Sequence, residues 1–304
     1  MAYSTDMAPY LSLRDQLFLE ITLPNIDVQR SIGELLSALD DKIELNRQMN
    51  ETLEASAQAL FRDWFVDFGP TKAKMAGDAP YLAPELWTLF PDRLNDKCVP
   101  EGWVASDLSE LIEFNPREKL AKGTQAPYID MAALPTTGSV IEDVRYREFK
   151  SGSKFRAGDT LMARITPCLE NGKTGYIDCL EAAIVGWGST EFFVLRARHP
   201  VPSEFAYLVA REPSFRVAAI QSMSGTSGRQ RATKEALEQY PFAQPDSDDI
   251  WHEFAKTIRP LFDRVKANRR ENATLGETRD LLLPKLMSGE IRVGDAEQAV
   301  SKAV

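Results

Sequence analysis

The feature that most constrains this 304-residue chain is a long amphipathic stretch that occurs in it twice. Between residues 25 and 65 there is no proline and a single glycine, Gly33. Its seam residues recur in alternating steps of four and three: Ile32, Leu36, Leu39, Ile43, Asn46, Asn50, Leu53, Ala57, Leu60 and Trp64. That spacing is a helix with one contact stripe. At about 1.5 Å per residue the stripe extends on the order of 50 Å. An isolated helix exposing such a stripe is marginal in water, so it requires a partner along its length.

The chain supplies that partner itself. From Trp251 the same steps return as Phe254, Ile258, Leu261, Val265, Asn268, Asn272, Leu275, Arg279, Leu282 and Leu286, each 222 positions after its counterpart. Identities at this offset include Leu39/Leu261, Asn46/Asn268, Arg47/Arg269, Asn50/Asn272, Leu53/Leu275 and Leu60/Leu282. Asparagines at equivalent seam positions are informative, because buried amides are costly unless they find one another and so fix register and partner. With a one-residue slip the repeat extends upstream: Ser12, Leu19, Ile21 and Pro24 match Thr233, Tyr240, Phe242 and Pro245. Ser12 and Thr233 both read as helix N-caps, with Asp15 and Glu235 in the first turns. Residues 12–66 and 233–290 are therefore expected to be two copies of one module, with a separate domain between them.

After Phe68 the pattern breaks into a Pro- and Gly-rich stretch, read as a linker or wrapping loop over 69–97. A compact domain is expected over 98–245. Its short β-like runs are Ala126–Ile129, Thr160–Ile165, Thr174–Ile177, Ala182–Val185 and Phe192–Arg196, followed by helices at Pro202–Glu212 and Ser214–Met223. Residues 1–24 read as the tail of a truncated domain, 25–68 as the first long helix, 246–291 as the second and 292–304 as a flexible tail. The fold class expected is α+β.

Net charge argues at first against nucleic acid, since 36 Lys+Arg face 45 Asp+Glu, a formal −9. Position changes that reading. Residues 145–173 hold seven basic and three acidic side chains, and residues 196–234 seven basic and two acidic, whereas residues 25–70 hold nine acidic and four basic. An acidic chain can thus carry a phosphate-facing patch. Two segments within the basic stretches have turn chemistry. Thr166–Gly172 is flanked by Arg164 and Lys173, and S-M-S-G-T-S-G-R-Q-R-A-T-K offers forked guanidiniums and an amide, the groups that read guanine and adenine edges. A solvated surface turn is the competing reading of each, and the one that composition alone favours.

Other chemistry is missing from the sequence. N-G-K-T-G at 171–175 has Pro167 where a phosphate loop needs glycine, and there is no G-x-S-x-G or H-E-x-x-H. The adenine-methylase pattern of Asn-Pro-Pro-aromatic is absent as well. Three cysteines without C-x-x-C and two distant histidines, His199 and His252, make a disulfide framework or zinc site unexpected. No run approaches the roughly 18 apolar residues of a membrane span, and the N-terminus lacks signal-peptide character, so a cytoplasmic protein without a membrane partner is expected.

Long helix, small β-containing domain with basic loops, long helix: this plan resembles the DNA-specificity subunit of type I restriction-modification systems, in a half-length form with one target-recognition domain. The segment L-P-N-I-D-V-Q-R-S-I-G-E-L-L-S-A-L-D-D-K-I-E-L-N-R-Q-M-N-E-T-L-E, followed by A-L-F-R-D-W-F-V-D-F-G-P, resembles that family's central conserved region. P-E-G-W at 100–103 resembles the start of its recognition domain, G-D-T-L-M-A-R at 158–164 a strand and loop within it, and N-x-T-L-x-x-x-R-D-x-L-L-P-K-L-M-S-G-E-I at 272–291 its distal conserved region.

The resemblance implies a mixed α/β recognition domain flanked by two long helices packed as an antiparallel coiled coil, with Ile43, Asn46, Asn50 and Leu53 facing Val265, Asn268, Asn272 and Leu275. It implies a non-catalytic reader of double-stranded DNA that positions a methylase subunit for adenine-N6 methylation at a bipartite target. A translocating nuclease (restriction) subunit is a further candidate partner. S-adenosylmethionine is expected on the methylase and no cofactor in this chain. Candidate DNA contacts are Lys154, Arg156, Arg164, Thr166, Lys173, Ser227, Arg229, Gln230 and Arg231. Because a single domain would read one half-site, a homodimer on a symmetric split site is expected. The alternative is an orphan half-subunit that binds the methylase as a decoy without directing it.

Overall fold

A computed structural model of the chain describes residues 12–18, 23–226 and 228–303. In chain order the elements are α1 (Leu13–Gln16), α2 (Ile26–Phe61), α3 (Gly69–Ala76), α4 (Pro84–Trp87), β1 (Val104–Asp107), β2 (Ile112–Phe114), β3 (Gln125–Ile129), β4 (Arg145–Glu148), β5 (Ser153–Arg156), β6 (Thr160–Ala163), β7 (Thr174–Tyr176), β8 (Val185–Gly188), β9 (Phe192–Ala197), α5 (Ser203–Arg211), α6 (Pro213–Gln221), α7 (Lys234–Glu238), β10 (Pro241–Gln244), α8 (Asp248–Ser288) and α9 (Val293–Ala303). The protein is α+β. No helix among the described residues is long and apolar enough to cross a membrane.

Both long helices start on side-chain caps. The Asn25 carboxamide accepts the Val28 N–H at 3.0 Å, and the Ser247 hydroxyl accepts that of Asp249 at 3.1 Å. Helix α2 runs into a π-helical turn, Arg62–Val66, and stops where Phe68 takes a left-handed φ of 55°. Helix α8 ends before Gly289, whose φ of 75° suits a glycine C-cap.

The chain divides into two compact units, residues 1–45 with 270–304 and residues 46–269. In the first, Leu39 and Ile43 of α2 pack with Leu275 of α8, and Ile32 packs with Leu282 and Leu286. Ascending numbers on one helix meet descending numbers on the other, so the two run antiparallel. Ion pairs flank the seam at Lys42–Glu271 (3.4 Å) and Asp40–Arg279 (2.5 Å). Residues 293–303, expected as a tail, form α9, whose Ala296 is fully buried in the cluster of Ile32 and Leu286.

In the second unit α2 and α8 are again antiparallel. Asn268 Nδ2 donates to Asn50 Oδ1 at 2.7 Å inside the seam, and Asn46 is fully buried. Trp64 meets Phe254 with ring centroids 5.5 Å apart, and Phe65 stacks on Trp251 at 4.7 Å. By the repeat, Trp64 and Phe254 are the counterparts of Leu286 and Ile32. The same seam contact is thus made once in each unit, enlarged to aromatics where it supports the domain. Phe205 of α5, Phe242 of β10 and Trp103 complete that aromatic core. The stretch 69–97 contributes to it, for Phe90 lies edge-on to Trp64 at 5.1 Å.

The domain has two four-stranded sheets, ordered β2-β9-β6-β7 and β4-β3-β8-β5, and a β1–β10 pair that joins its first strand to its last. Between the sheets lie Ile129, Phe155, Leu161, Ile177, Phe192 and Val194. Four predicted strands occur with ends shifted by a residue or two. The expected strand 182–185 is displaced to β8, V-G-W-G, whose glycines read locally as punctuation. They are needed there: a Cβ on Gly188 would fall 2.4 Å from the Ile129 carbonyl oxygen. Strand β4, R-Y-R-E, is exposed along its length and carries no apolar alternation to announce it.

Replacing Asn268 by Ala should leave the Asn50 carbonyl buried without its donor and cost about 1–3 kcal/mol. In urea unfolding this reads as a lower midpoint with an unchanged slope. The double change Asn50→Leu/Asn268→Leu should recover part of that loss, because both polar partners leave together.

Candidate nucleic-acid interface

The two sequence-predicted loops meet. The Thr166 N–H donates to the Gln230 carbonyl at 3.0 Å, the Ala232 N–H to that of Arg164 at 2.8 Å, and Ile165 forms a β-bridge with Arg231. Segment 165–173 is a tight coil closed by Leu169 N–H to Ile165 O (3.0 Å) and Lys173 N–H to Cys168 O (3.0 Å). Segment 224–231 is a hairpin whose ends exchange both backbone bonds, Ser224 and Arg231 at 3.0 and 2.9 Å. Its turn contains Gly225 (φ 122°) and Gly228 (φ 77°), conformations that L side chains rarely adopt. Such a turn holds Arg229 exposed at its tip with Gln230 half-buried beside it. Ser227, one of the predicted contacts, lies outside the described residues.

A carboxylate absent from the sequence reading holds this arrangement together. Glu191 takes the Arg231 guanidinium in a fork, with Oε1 and Oε2 at 2.6–3.0 Å from Nε and Nη2. Its backbone carbonyl accepts the Arg164 N–H at 3.0 Å. One residue therefore grips both loops. The hydrogen-bonded guanidinium of Arg231 keeps the Glu191 carboxyl below the ordinary glutamate range. The Arg164 guanidinium lies over the Phe193 ring at 5.0 Å. The hydroxyl of Thr166 is shielded from solvent and has no hydrogen-bond partner among the described residues.

The remaining predicted contacts are placed differently. Lys173 turns inward and donates its ammonium to the Met131 carbonyl at 2.7 Å. Lys154 and Arg156 are on β5, in the other sheet, where Lys154 Nζ donates to the Glu118 carbonyl at 3.1 Å and Arg156 comes within 3.8 Å of the Glu118 carboxylate. Several arginines that made the segment charge counts positive are already engaged. Arg196 forks onto buried Asp159 at 2.7–2.8 Å and pairs with Glu118 at 2.7 Å. Arg211 donates to the carbonyls of Thr136, Gly138, Gly172 and Thr174, fastening loops around α5. Glu118 and Glu191 fall outside the windows in which the basic residues were counted, so no local count reveals them.

No family model matches the chain. Over 334 aligned residues it is 27% identical to the type I restriction enzyme HindI specificity subunit of Haemophilus influenzae, covering 93% of this chain and 71% of that one. The type I restriction enzyme MjaIX specificity subunit of Methanocaldococcus jannaschii is 24% identical over 291 residues, covering 90% of this chain and 61% of its own. Among solved structures, the type I restriction-modification S subunit from M. genitalium has the same fold, with a TM-score of 0.50 at 17% identity over 94% of this chain and 67% of that chain. The chain is a homologue of type I specificity subunits.

In this S-subunit homologue the paired loops form a compact surface of backbone turns, one exposed arginine and an adjacent amide. Among the described residues, no group of three or more His, Cys, Asp or Glu side chains is placed to hold a metal ion. Phosphate contacts set register on DNA while base-edge contacts carry identity, and a fork or an amide at a rigid turn suits the second task. Arg231, forked onto Glu191, acts as the brace of that turn.

The brace predicts a pH dependence. A carboxyl whose folded pKa is depressed stabilises the fold fully above its unfolded value near 4.5, and the contribution is lost as pH falls through the depressed folded value. Protection of the Ser224 and Arg231 amides, taken as exchange relative to the intrinsic rate at each pH, should therefore be constant from neutral pH to about 5 and should fall only below the ordinary glutamate range. Glu191→Gln should give fast exchange in that hairpin at neutral pH and abolish the acid step.

Proposed function

We propose that this chain is the sequence-reading, non-catalytic subunit of a type I restriction-modification complex, and that its paired loops at 164–173 and 224–231 read one half of a bipartite DNA target. The observation that carries the reading is the hairpin 224–231, held by Glu191 and glycine turns, which presents Arg229 with no side-chain partner among the described residues. Homology to specificity subunits over 93% of the chain supports it. An adenine-N6 methylase subunit carrying S-adenosylmethionine would dock on the long helices, where acidic side chains are in excess on the first, and a translocating nuclease subunit would join in a complete system.

A homodimer would supply the second half-site. Within one chain the seam is already filled: Leu39 and Ile43 pack on Leu275, and Asn50 bonds Asn268. A dimer would therefore join through other surfaces of the helices. Sedimentation of the chain with its methylase on DNA checks this, two recognition chains per complex being expected and one overturning it.

Mapping methylated adenines in cells that express the chain with its methylase should give a split motif. Arg229→Ala should cost about 1–3 kcal/mol at one base pair of that motif and relax its identity, with Gln230→Ala acting at a neighbouring position. Methylase binding without any sequence-dependent shift of DNA is the result expected of a decoy half-subunit and would overturn the proposal.

A further inference from the structure

The outer face of the sheet β4-β3-β8-β5 carries a second arrangement of cations that the loop reading does not use. Strand register places Arg147 opposite Ala126, Tyr128 opposite Trp187, and Lys154 opposite Trp187, so these side chains share one face while Ile129 and Phe155 take the other into the core. Its floor is aromatic: Tyr128 and Trp187 lie 4.4 Å apart, and Phe149 meets Trp187 edge-on at 5.4 Å. Arg147 stands over Tyr128 at 4.4 Å and Lys154 over Phe149 at 5.0 Å. Leu120 packs into the same floor, bringing the segment 116–123 alongside with exposed Lys119 and Lys122.

The way these cations are held distinguishes them from the engaged arginines. Arg196 and Arg231 are neutralised by carboxylates, and Arg211 gives its donors to carbonyls. Arg147 is held by a π face, which orients a guanidinium without cancelling its charge or occupying its N–H groups. Lys119, Lys122 and Lys150 are exposed and have no ion pair among the described residues. Exposed cations without carboxylate partners around one aromatic cluster suit a polyanion, and the phosphate backbone of a DNA duplex is such a partner.

We propose that Lys119, Lys122, Arg147 and Lys150 form a phosphate-tracking strip that binds duplex DNA without regard to sequence, distinct from the loops that read bases. The inference rests on the DNA-recognition role proposed above. Its test is fluorescence titration of the full chain against a labelled duplex of mixed sequence over a range of salt concentrations. The triple variant Lys119→Gln/Lys122→Gln/Arg147→Gln should bind at least tenfold more weakly. Its slope of log affinity against log salt should be shallower by about 2–3, near 0.9 for each phosphate contact removed. Lys72→Gln/Lys97→Gln, exposed cations elsewhere on the chain, should behave as the unaltered protein. Arg147→Lys should retain most of the affinity, because the charge is kept.

A triple variant with unchanged affinity and slope overturns the strip and leaves the face to an acidic protein surface, while the loop reading stands or falls separately on the Arg229→Ala change in the methylated motif. Absence of any duplex binding by the unaltered chain overturns both. A triple variant that loses discrimination between duplexes while keeping its salt slope overturns the assignment to phosphate.

Discussion

The antiparallel packing of α2 on α8 is the constraint on which the rest depends. Neither helix could expose its stripe to water, and the domain's aromatic core is assembled partly from their side chains, Phe61, Trp64 and Phe65 from one and Trp251, Phe254 and Ile258 from the other. Apolar packing alone would tolerate sliding by a heptad. The Asn50–Asn268 bond opposes that slide, because a heptad shift would bury both amides away from one another. The repeat then makes the same contact twice: Ile32 with Leu286 in one unit, and Phe254 with Trp64 in the other, where the larger rings give the domain something to pack on.

Electrostatics in the domain are decided by pairing more than by number. A net charge of −9 and two locally basic segments are compatible with many surfaces. Asp159, Glu118 and Glu191 remove Arg196 and Arg231 from the pool of available cations, and they turn those residues into braces. Asp159 shows what this costs and gains. Burial pushes its carboxyl up, and the Arg196 fork and the Arg156 N–H offset part of that rise, so the pair ties the start of β6 to its neighbour β9 within one sheet. Cations held on aromatic faces keep their charge facing outward.

The long helices, their repeat and the two turn-rich loops were legible because each is a local pattern: a period near 3.5 sustained over many turns, or Gly, Ser and Thr beside Arg. Strand β4 was not, since R-Y-R-E has no apolar alternation and its partner is the preceding strand β3, across residues 130–144 with no short hairpin turn to signal the pairing. Strand β8 was misplaced because Gly186 and Gly188 look like breakers, although the close approach of the Ile129 carbonyl demands glycine at 188. The tail at 293–303 is helical because α9 buries Ala296 in the cluster of Ile32 and Leu286, a benefit invisible in its own residues.

Sequence by itself determined the architecture: two copies of a long amphipathic helix whose stripes require one another, a β-containing domain between them, and two turn-rich segments rich in Gly, Ser and Thr beside Arg. Tertiary structure alone decided which charges remain available. Lys173 and Arg231 lie in the same basic stretches as Arg229, yet the first is bonded to the Met131 carbonyl and the second to Glu191, while Arg229 stands exposed on its turn. The physical reason is that a period is written in neighbouring residues, whereas an ion pair joins residues forty positions apart, and only the fold brings their ends within hydrogen-bonding distance.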